Sequence, residues 1–418
     1  MASTRRRARW TGSLCSIVAA GLTLTACGGT SPGSGGGATT GEPIKIGLAV
    51  ARTGFASAQA SLTAGAAEAW ARSVNDHGGI DGRRVEIIAK DSGATPTTAQ
   101  AVAKELVQSE NVVAMMVSDP AAESSIAPYL EQQKVPVIGV LGLDKTSWGV
   151  RTNYFSTSTA NTTTQQTYAT SAIPVGAKSV GVVVCAEAAT CQQTAGVVEQ
   201  TSAAERIAYT GVAKVAASQP NFTAECLSFL GKHTELIALG VSMADTGVRV
   251  ASDCQKQGYT GSFVVTSLSV IQKYLDKLPG AKFVGSMSSF PWWADTPGAA
   301  AFRDAMKKEA PDYDYANAFA PATWTSLELF RKAVTGRTAG LDRQKVMDGY
   351  YSLKDETLGG LLPQAVTYTK DKGAPIVRCF WLYTYEGGTQ KWTVEQSGRN
   401  GNGATGELAS SCYDTAPS

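Results

Sequence analysis

From residue 44 onward, short apolar runs alternate with segments of helical period, and no other feature restricts the fold as tightly. Residues 44–50, Ile-Lys-Ile-Gly-Leu-Ala-Val, read as a buried strand. Residues 62–74 place Leu62, Ala66, Ala69, Trp70 and Val74 at helical spacing, and Gly78-Gly79 ends that helix. A strand at 85–89 follows. The next helix takes Thr97 or Thr98 as its cap and sets Ala99, Val102, Ala103, Leu106 and Val107 on one face. Then come a strand at 112–117, a helix at 124–134 and a strand at 135–140. The pattern restarts with helices at 162–173, 192–205, 222–230 and 248–257, between strands at 180–184, 207–215, 236–241, 263–266 and 283–286. Helices at 299–309, 316–334 and 342–352 complete it. Such alternation means α/β architecture, with parallel sheets covered by helices on both faces. So many strands do not fit one sheet, so two sheets, and hence two lobes, are expected.

The first residues have a different character. Arg5, Arg6, Arg7 and Arg9 precede a short apolar stretch at 14–24, and Leu24-Thr25-Ala26-Cys27 follows. This is the order of a secretory signal, and the stretch is shorter than the ~20 residues of a bilayer span. Leu-Thr-Ala-Cys resembles the lipobox of bacterial lipoproteins. That resemblance implies cleavage before Cys27 and acylation of its thiol and new amine. The Arg pair leaves Sec and twin-arginine export both open. Residues 28–41, GGTSPGSGGGATTG, read as a flexible tether. They contain a formal G-x-S-x-G from Gly29 to Gly33. That motif needs a strand before it and a helix after it, and both sides here are linker, so it carries no nucleophile.

Cysteine usage agrees with export. Eight cysteines less Cys15 and Cys27 leave an even set, and six cysteines allow fifteen pairings. The near-sequence pairs Cys185–Cys191, Cys226–Cys254 and Cys379–Cys412 are favoured. Cys226 and Cys254 fall in two helices flanking one strand and so can meet on one face of a sheet. No C-x-x-C and no nearby histidine supports a metal site.

Composition narrows function further. Hydrophobic residues make up 43% and charged residues 17% of the 418, enough for real cores. The 37 basic and 35 acidic residues nearly cancel, which leaves no broad footprint for nucleic acid. Only His77 and His233 are present, so a Ser–His–Asp triad is hard to build. His77 reads as a helix-end residue, His233 as solvent-facing, and Arg52 as a surface charge. Ligands of open α/β sheets bind beyond the carboxyl ends of the strands. The loops there are 51–60, 118–122, 141–147, 185–191, 242–246 and 267–269. None has a phosphate-cradling glycine fingerprint or a carboxylate paired with a base. They are short and hydroxyl-rich, which suits binding rather than catalysis, without a cofactor.

Several stretches share a further likeness. Ile44-Lys45-Ile46-Gly47 with Thr53-Gly54, the run His77-Gly78-Gly79-Ile80-Asp81-Gly82-Arg83-Arg84-Val85-Glu86, Ile126-Ala127-Pro128 and Lys134-Val135-Pro136-Val137-Ile138 occur in that order. Together with the lipobox they resemble the type I periplasmic solute-binding proteins, nearest the branched-chain amino-acid (Leu/Ile/Val) binding lipoproteins of ABC importers. The resemblance implies two Rossmann-like lobes joined by three hinge crossings, near 155–159, 288–291 and 368–372. It divides the chain into a signal peptide (1–26), a lipidated cysteine with its linker (27–43), a first lobe (44–156 with 290–368) and a second lobe (157–289 with 369–418). It also implies closure on a small solute, a partner permease in the cytoplasmic membrane, an extracytoplasmic place held by the lipid anchor, and a monomer.

Carried over residue by residue, the family's ligand grip is incomplete. Ser118 and Asp119 stand in one first-lobe loop. The other holds Leu141-Gly142-Leu143, without the family's Thr hydroxyl. The family's ammonium-binding acid falls near Ser267, and residues 266–269 have no acid; the aromatic expected after the Cys185 strand is replaced by Ala189 and Thr190. Burying an ammonium without an acid is costly. A less charged solute is therefore expected. Phe55, Met243, Trp292 and Trp293 are candidate apolar walls, one tryptophan facing the core and one the cleft. Gln59, Ser118, Ser242 and Ser267 are candidate hydrogen-bonding groups. Asp119 either receives a cation or starts the turn into the following helix. Two other functions remain: a sensor of the same fold signalling to a membrane receptor, and a hydrolase, for which no nucleophile with a base is placed.

Overall fold

The structure, a computed structural model, describes residues 41–54, 57–119, 122–139, 145–186, 189–395 and 408–413. All lie in the compact unit formed by residues 37–418. The signal segment, Cys15, Cys27 and the linker up to residue 40 lie outside the described residues, as do Phe55 and Leu141-Gly142-Leu143.

The first sheet contains β1 (Ile44–Val50), β2 (Val85–Asp91), β3 (Ala114–Ser118), β4 (Val137–Ile138) and β5 (Tyr154–Phe155). Its order is β2-β1-β3-β4-β5, parallel throughout. Apart from Lys45, β1 is apolar on both faces, as suits a strand covered on both sides. A Cβ at Gly47 would lie 3.3 Å from Leu106, Val112 and Met115, so a larger residue would press on the layer above. The helices between these strands are α1 (Ser57–Asp76), α2 (Pro96–Lys104), α3 (Glu123–Gln132) and α4 (Lys145–Trp148). α1 buries a small-residue face, Ala60, Ala64, Ala67 and Ala71, around Trp70. The cap of α2 is Thr95, which accepts from the Thr98 amide at 3.3 Å, and not Thr97 or Thr98. Pro96 decides this: with no N–H and a fixed φ it suits the first helical position.

The Gly-Gly-Ile run closes α1 for a definite reason. Gly78 and Gly79 have φ of 91° and 75°. A Cβ on Gly79 would lie 2.0 Å from the Arg83 carbonyl, so only glycine fits. Asp81 accepts from the Gly336 amide at 2.7 Å and the Thr338 hydroxyl at 3.0 Å, and Arg83 donates to the Thr338 carbonyl at 2.5 Å.

The second sheet has order β12-β11-β10-β9-β8-β6-β7. Its strands are β6 (Ser179–Cys185), β7 (Ala208–Val215), β8 (Leu236–Gly240), β9 (Ser262–Val264), β10 (Lys282–Met287), β11 (Cys379–Glu386) and β12 (Lys391–Val394), with β13 (Ser411–Cys412) paired to β11. Helices α5 (Asn161–Thr170), α6 (Ala189–Ala204), α7 (Thr223–Gly231), α8 (Val248–Lys256) and α9 (Gln272–Leu275) accompany it. Strands β6 to β10 are parallel, but β11, β12 and β13 form an antiparallel edge. The expectation of parallel strands therefore fails at this edge. Residues 380–385 are aromatic and apolar apart from Thr384, Gly387-Gly388 turns the chain, and Glu386 pairs with Lys391.

After β10 the chain returns as α10 (Pro297–Glu309), α11 (Phe319–Val334) and α12 (Arg343–Ser352). α10 and α11 pack against α1, and α12 against α11. α11 starts three residues later than its periodicity because the Asn317 side chain accepts from the Ala320 amide at 3.0 Å. The chain thus passes between the two sheets three times, after β5, after β10 and before β11. Among the described residues three disulfides form, Cys185–Cys191, Cys226–Cys254 and Cys379–Cys412. No helix among the described residues is long and apolar enough to cross a membrane.

Candidate functional site

At the carboxyl edge of the first sheet, three strand ends are tied together by polar groups. Ser118 closes β3 with no exposed surface, and its hydroxyl lies 2.8 Å from the Thr63 hydroxyl on α1 and donates toward the Ala60 carbonyl at 3.4 Å. Asp119 is equally buried, and its carboxylate accepts from the Ser92 hydroxyl at 2.5 Å. The Asp119 carbonyl accepts from the Ala122 and Glu123 amides, each at 3.1 Å, and so opens α3. The turn into α3 is thus formed by the Asp119 main chain, while its carboxylate meets Ser92. Gln59 is half-buried on the first turn of α1.

Asp91, at the end of β2, organises the loop after β1. One carboxylate oxygen accepts from the amides of Arg52 (2.9 Å), Thr53 (3.3 Å) and Gly93 (2.9 Å). The other accepts from the Thr53 hydroxyl at 2.8 Å. Desolvation works against its charge, but the bonds from Gly93, Thr53 and Arg52 outweigh it and hold Asp91 below the usual carboxylate range.

At the second sheet, Ser242 is exposed, whereas Met243 is fully buried. Met243 fills the space under the helical turn Met243–Gly247, where a Cβ on Gly247 would lie 2.5 Å from its sulfur. Ser267 has φ of 51°, and its hydroxyl lies 3.2 Å from that of Ser288 in the second crossing. The next residues reach back toward the first sheet: Ala318 donates to the Val270 carbonyl at 2.9 Å, and Gln272 to the Ala316 carbonyl at 2.9 Å. The Tyr313 hydroxyl, in the same segment, donates to the Leu62 carbonyl of α1 at 2.8 Å. A continuous set of contacts therefore runs from Ser267 toward α1, whose Thr63 meets Ser118.

The tryptophan pair lies elsewhere. Trp293 stacks on Trp392 of β12 at 4.2 Å and meets Trp292 edge-on at 4.7 Å. Trp292 is buried, and its carbonyl accepts from Arg303 at 2.7 Å. Trp292 is buried and Trp293 half-buried, and both rings contact Trp392 in an aromatic cluster on the β11–β12 edge. Several acids near these loops escaped the reading of the sequence. Asp91 and Glu123 stand at element ends; Glu123 is buried and accepts from the Trp148 indole. Asp144 and Glu187 lie outside the described residues, and Asp245 sits in the turn Met243–Gly247. For Asp144, Glu187 and Asp245 the loop position was signal enough to find them. His77 meets the Ser73 carbonyl at 2.7 Å at the end of α1, and His233 is exposed. Among the described residues no group of His, Cys, Asp or Glu could hold a metal.

Comparison with known proteins places this architecture. A periplasmic binding protein family profile matches residues 43–390. A search of curated proteins finds no match. Among solved structures, a branched-chain amino acid ABC transporter protein from Thermus thermophilus with bound valine is similar with a TM-score of 0.71, 14% identity, and coverage of 85% of this chain and 96% of that one. A fatty acid ABC transporter substrate-binding protein from Thermomonospora curvata gives 0.68, 16%, 86% and 92%. A solute-binding protein from R. palustris in complex with benzoate gives 0.66, 15%, 84% and 95%. Over that span, with two parallel-dominated sheets and three passages between them, the chain belongs to the type I periplasmic binding protein family.

Proposed function

We propose that the chain is the lipid-anchored, extracytoplasmic solute-binding component of an ABC importer, acting as a monomer without a cofactor. The observation that carries this reading is the pair of sheets joined by three passages, with hydroxyl-rich loops at their carboxyl edges. Residues 44–156 with 290–368 form one lobe, and 157–289 with 369–418 the other. The lobes close on a solute, and the closed form is what the permease discriminates. Cys27 carries the acyl chain that keeps the carrier beside its permease, after removal of residues 1–26.

The solute is an organic molecule less charged than a zwitterionic amino acid. Residues 265–269 contain no acid, and the Ser118 hydroxyl is already engaged by Thr63 and Ala60. Similar structures include one in complex with benzoate, one with bound valine and a fatty acid ABC transporter substrate-binding protein. Thermal unfolding with L-isoleucine, L-leucine, benzoate and octanoate tests this. A true solute at a hundred times its Kd stabilises the fold by about 2.7 kcal/mol. Stabilisation by benzoate or octanoate with none by leucine supports the reading. Tight leucine binding contradicts the assignment of solute class, and no stabilisation by any of the four counts against the carrier reading.

A further inference from the structure

Asp91 holds together two loops that neighbour the proposed solute site. All four of its hydrogen-bond donors belong to residues 52–53 and 93, that is, to the loops that follow β1 and β2. The backbone beneath them is fixed independently: Ser92 donates to the Val50 carbonyl at 2.9 Å, and Ala51 to the Ser118 carbonyl at 3.2 Å. Gly54 has φ of 85°, and a Cβ there would lie 2.8 Å from Ala94, so residues 51–54 fold back onto 93–94.

Residues 52–54 are exposed. An exposed loop keeps one shape only if something offsets its lost conformational freedom, about 1–2 kcal/mol per residue. Only Ala51 of this segment joins the core, and for residues 52–53 the carboxylate supplies the restraint. Bonds to a charged acceptor are the stronger kind. The Thr53 hydroxyl proton is committed to Asp91, so that hydroxyl turns only lone pairs outward. The Arg52 guanidinium meets Glu68 at 3.4 Å with both side chains more than two-fifths exposed, a weak pair that leaves it free to reorient.

Resting on the carrier reading, we propose that Asp91 is a positioning residue for solute capture, holding the backbone of residues 51–54 in the outline that the solute meets. A loop held before binding does not lose its freedom at binding, and the gain appears as affinity. Asp91 acts through Arg52 and Thr53 and does not itself touch the solute.

The test compares the full chain with Asp91→Ala and Asp91→Asn. Amide hydrogen exchange is followed at residues 51–54 and 93, and L-isoleucine, benzoate and octanoate are titrated calorimetrically. Asp91→Ala is expected to speed exchange at Arg52, Thr53 and Gly93 while the amides of β1 and β3 keep their rates. It is also expected to weaken whichever probe binds the wild type by about tenfold. Asp91→Asn retains one acceptor oxygen and loses the partner of the Thr53 hydroxyl, so its loss is intermediate, and it serves if the alanine variant does not fold. Faster exchange with a Kd within about twofold of wild type overturns the proposal. Unchanged exchange overturns it as well. Failure of the carrier reading shows separately, as a wild type that ignores all three probes, and it removes what Asp91 would position.

Discussion

The Tyr368 hydroxyl donates to the Ser156 carbonyl over 2.6 Å, joining the chain that enters β11 to the chain that leaves β5. Around this bond Tyr350 stacks on Phe155 at 4.2 Å, and Tyr368 meets both rings at 5.4 Å. Complete burial pushes the Tyr368 hydroxyl well above its ordinary pKa, so it remains a donor across the physiological range. Two of the three passages between the sheets are thus clasped at one point.

Tyr368→Phe keeps the ring and removes the donor, leaving the Ser156 carbonyl without this partner. The expected loss is about 1–2 kcal/mol. Urea unfolding measures it, with an unchanged m-value showing that the native state is otherwise intact. A loss below about 0.3 kcal/mol would mean that another donor takes over.

Trp293→Ala removes a ring that stacks on Trp392 and borders Tyr383 at 6.0 Å. Trp293 is half-buried, so the expected cost is about 2–3 kcal/mol of stability, at the low end for a large aromatic. Solute affinity should hold once the variant is studied at a temperature where it is folded. Affinity lost without stability would move Trp293 from the aromatic cluster to the solute.

The Cys226–Cys254 bridge joins α7 to α8 across a separation of 28 residues. Loop-closure entropy for that length amounts to about 3–4 kcal/mol. The paired Cys226→Ala and Cys254→Ala variant is expected to lose roughly that much in denaturant unfolding. Its midpoint should also cease to respond to reductant at this site.

Asp91 gives the acid limb of stability a defined sign. Its folded pKa lies below the reference of 3.8, so its contribution is present above the unfolded value and fades as pH falls through the folded one. The difference in melting temperature between wild type and Asp91→Ala should be flat from about pH 5 to 8 and shrink below about pH 4. A difference that grows on acidification would contradict this assignment.

Much of the parallel framework was legible because its signals are local. β1 announces itself by seven residues with only one charge, and α1 by alanines spaced around Trp70. Gly78-Gly79 is legible for the same reason, since positive φ and the close Arg83 carbonyl admit little else. The antiparallel edge was not legible. Residues 380–385 lack alternation, and pairing of β11 with β10 is decided by contacts far apart in the chain. The same distance hid the stacking of Trp293 on Trp392. Asp91 was missed because a strand-final aspartate looks ordinary, and three of its four bonds run to backbone amides that any sequence would supply. The cap of α2 failed by two residues because threonines flank Pro96 on both sides, and only proline's preference for the first helical position chooses between them.

The most direct test is native mass spectrometry of the purified chain, followed by denaturation and chemical identification of what is released. One small organic molecule per chain, released intact and able to rebind reversibly, is the predicted result. Release of a chemically altered product from an added solute, with turnover over time, would contradict it.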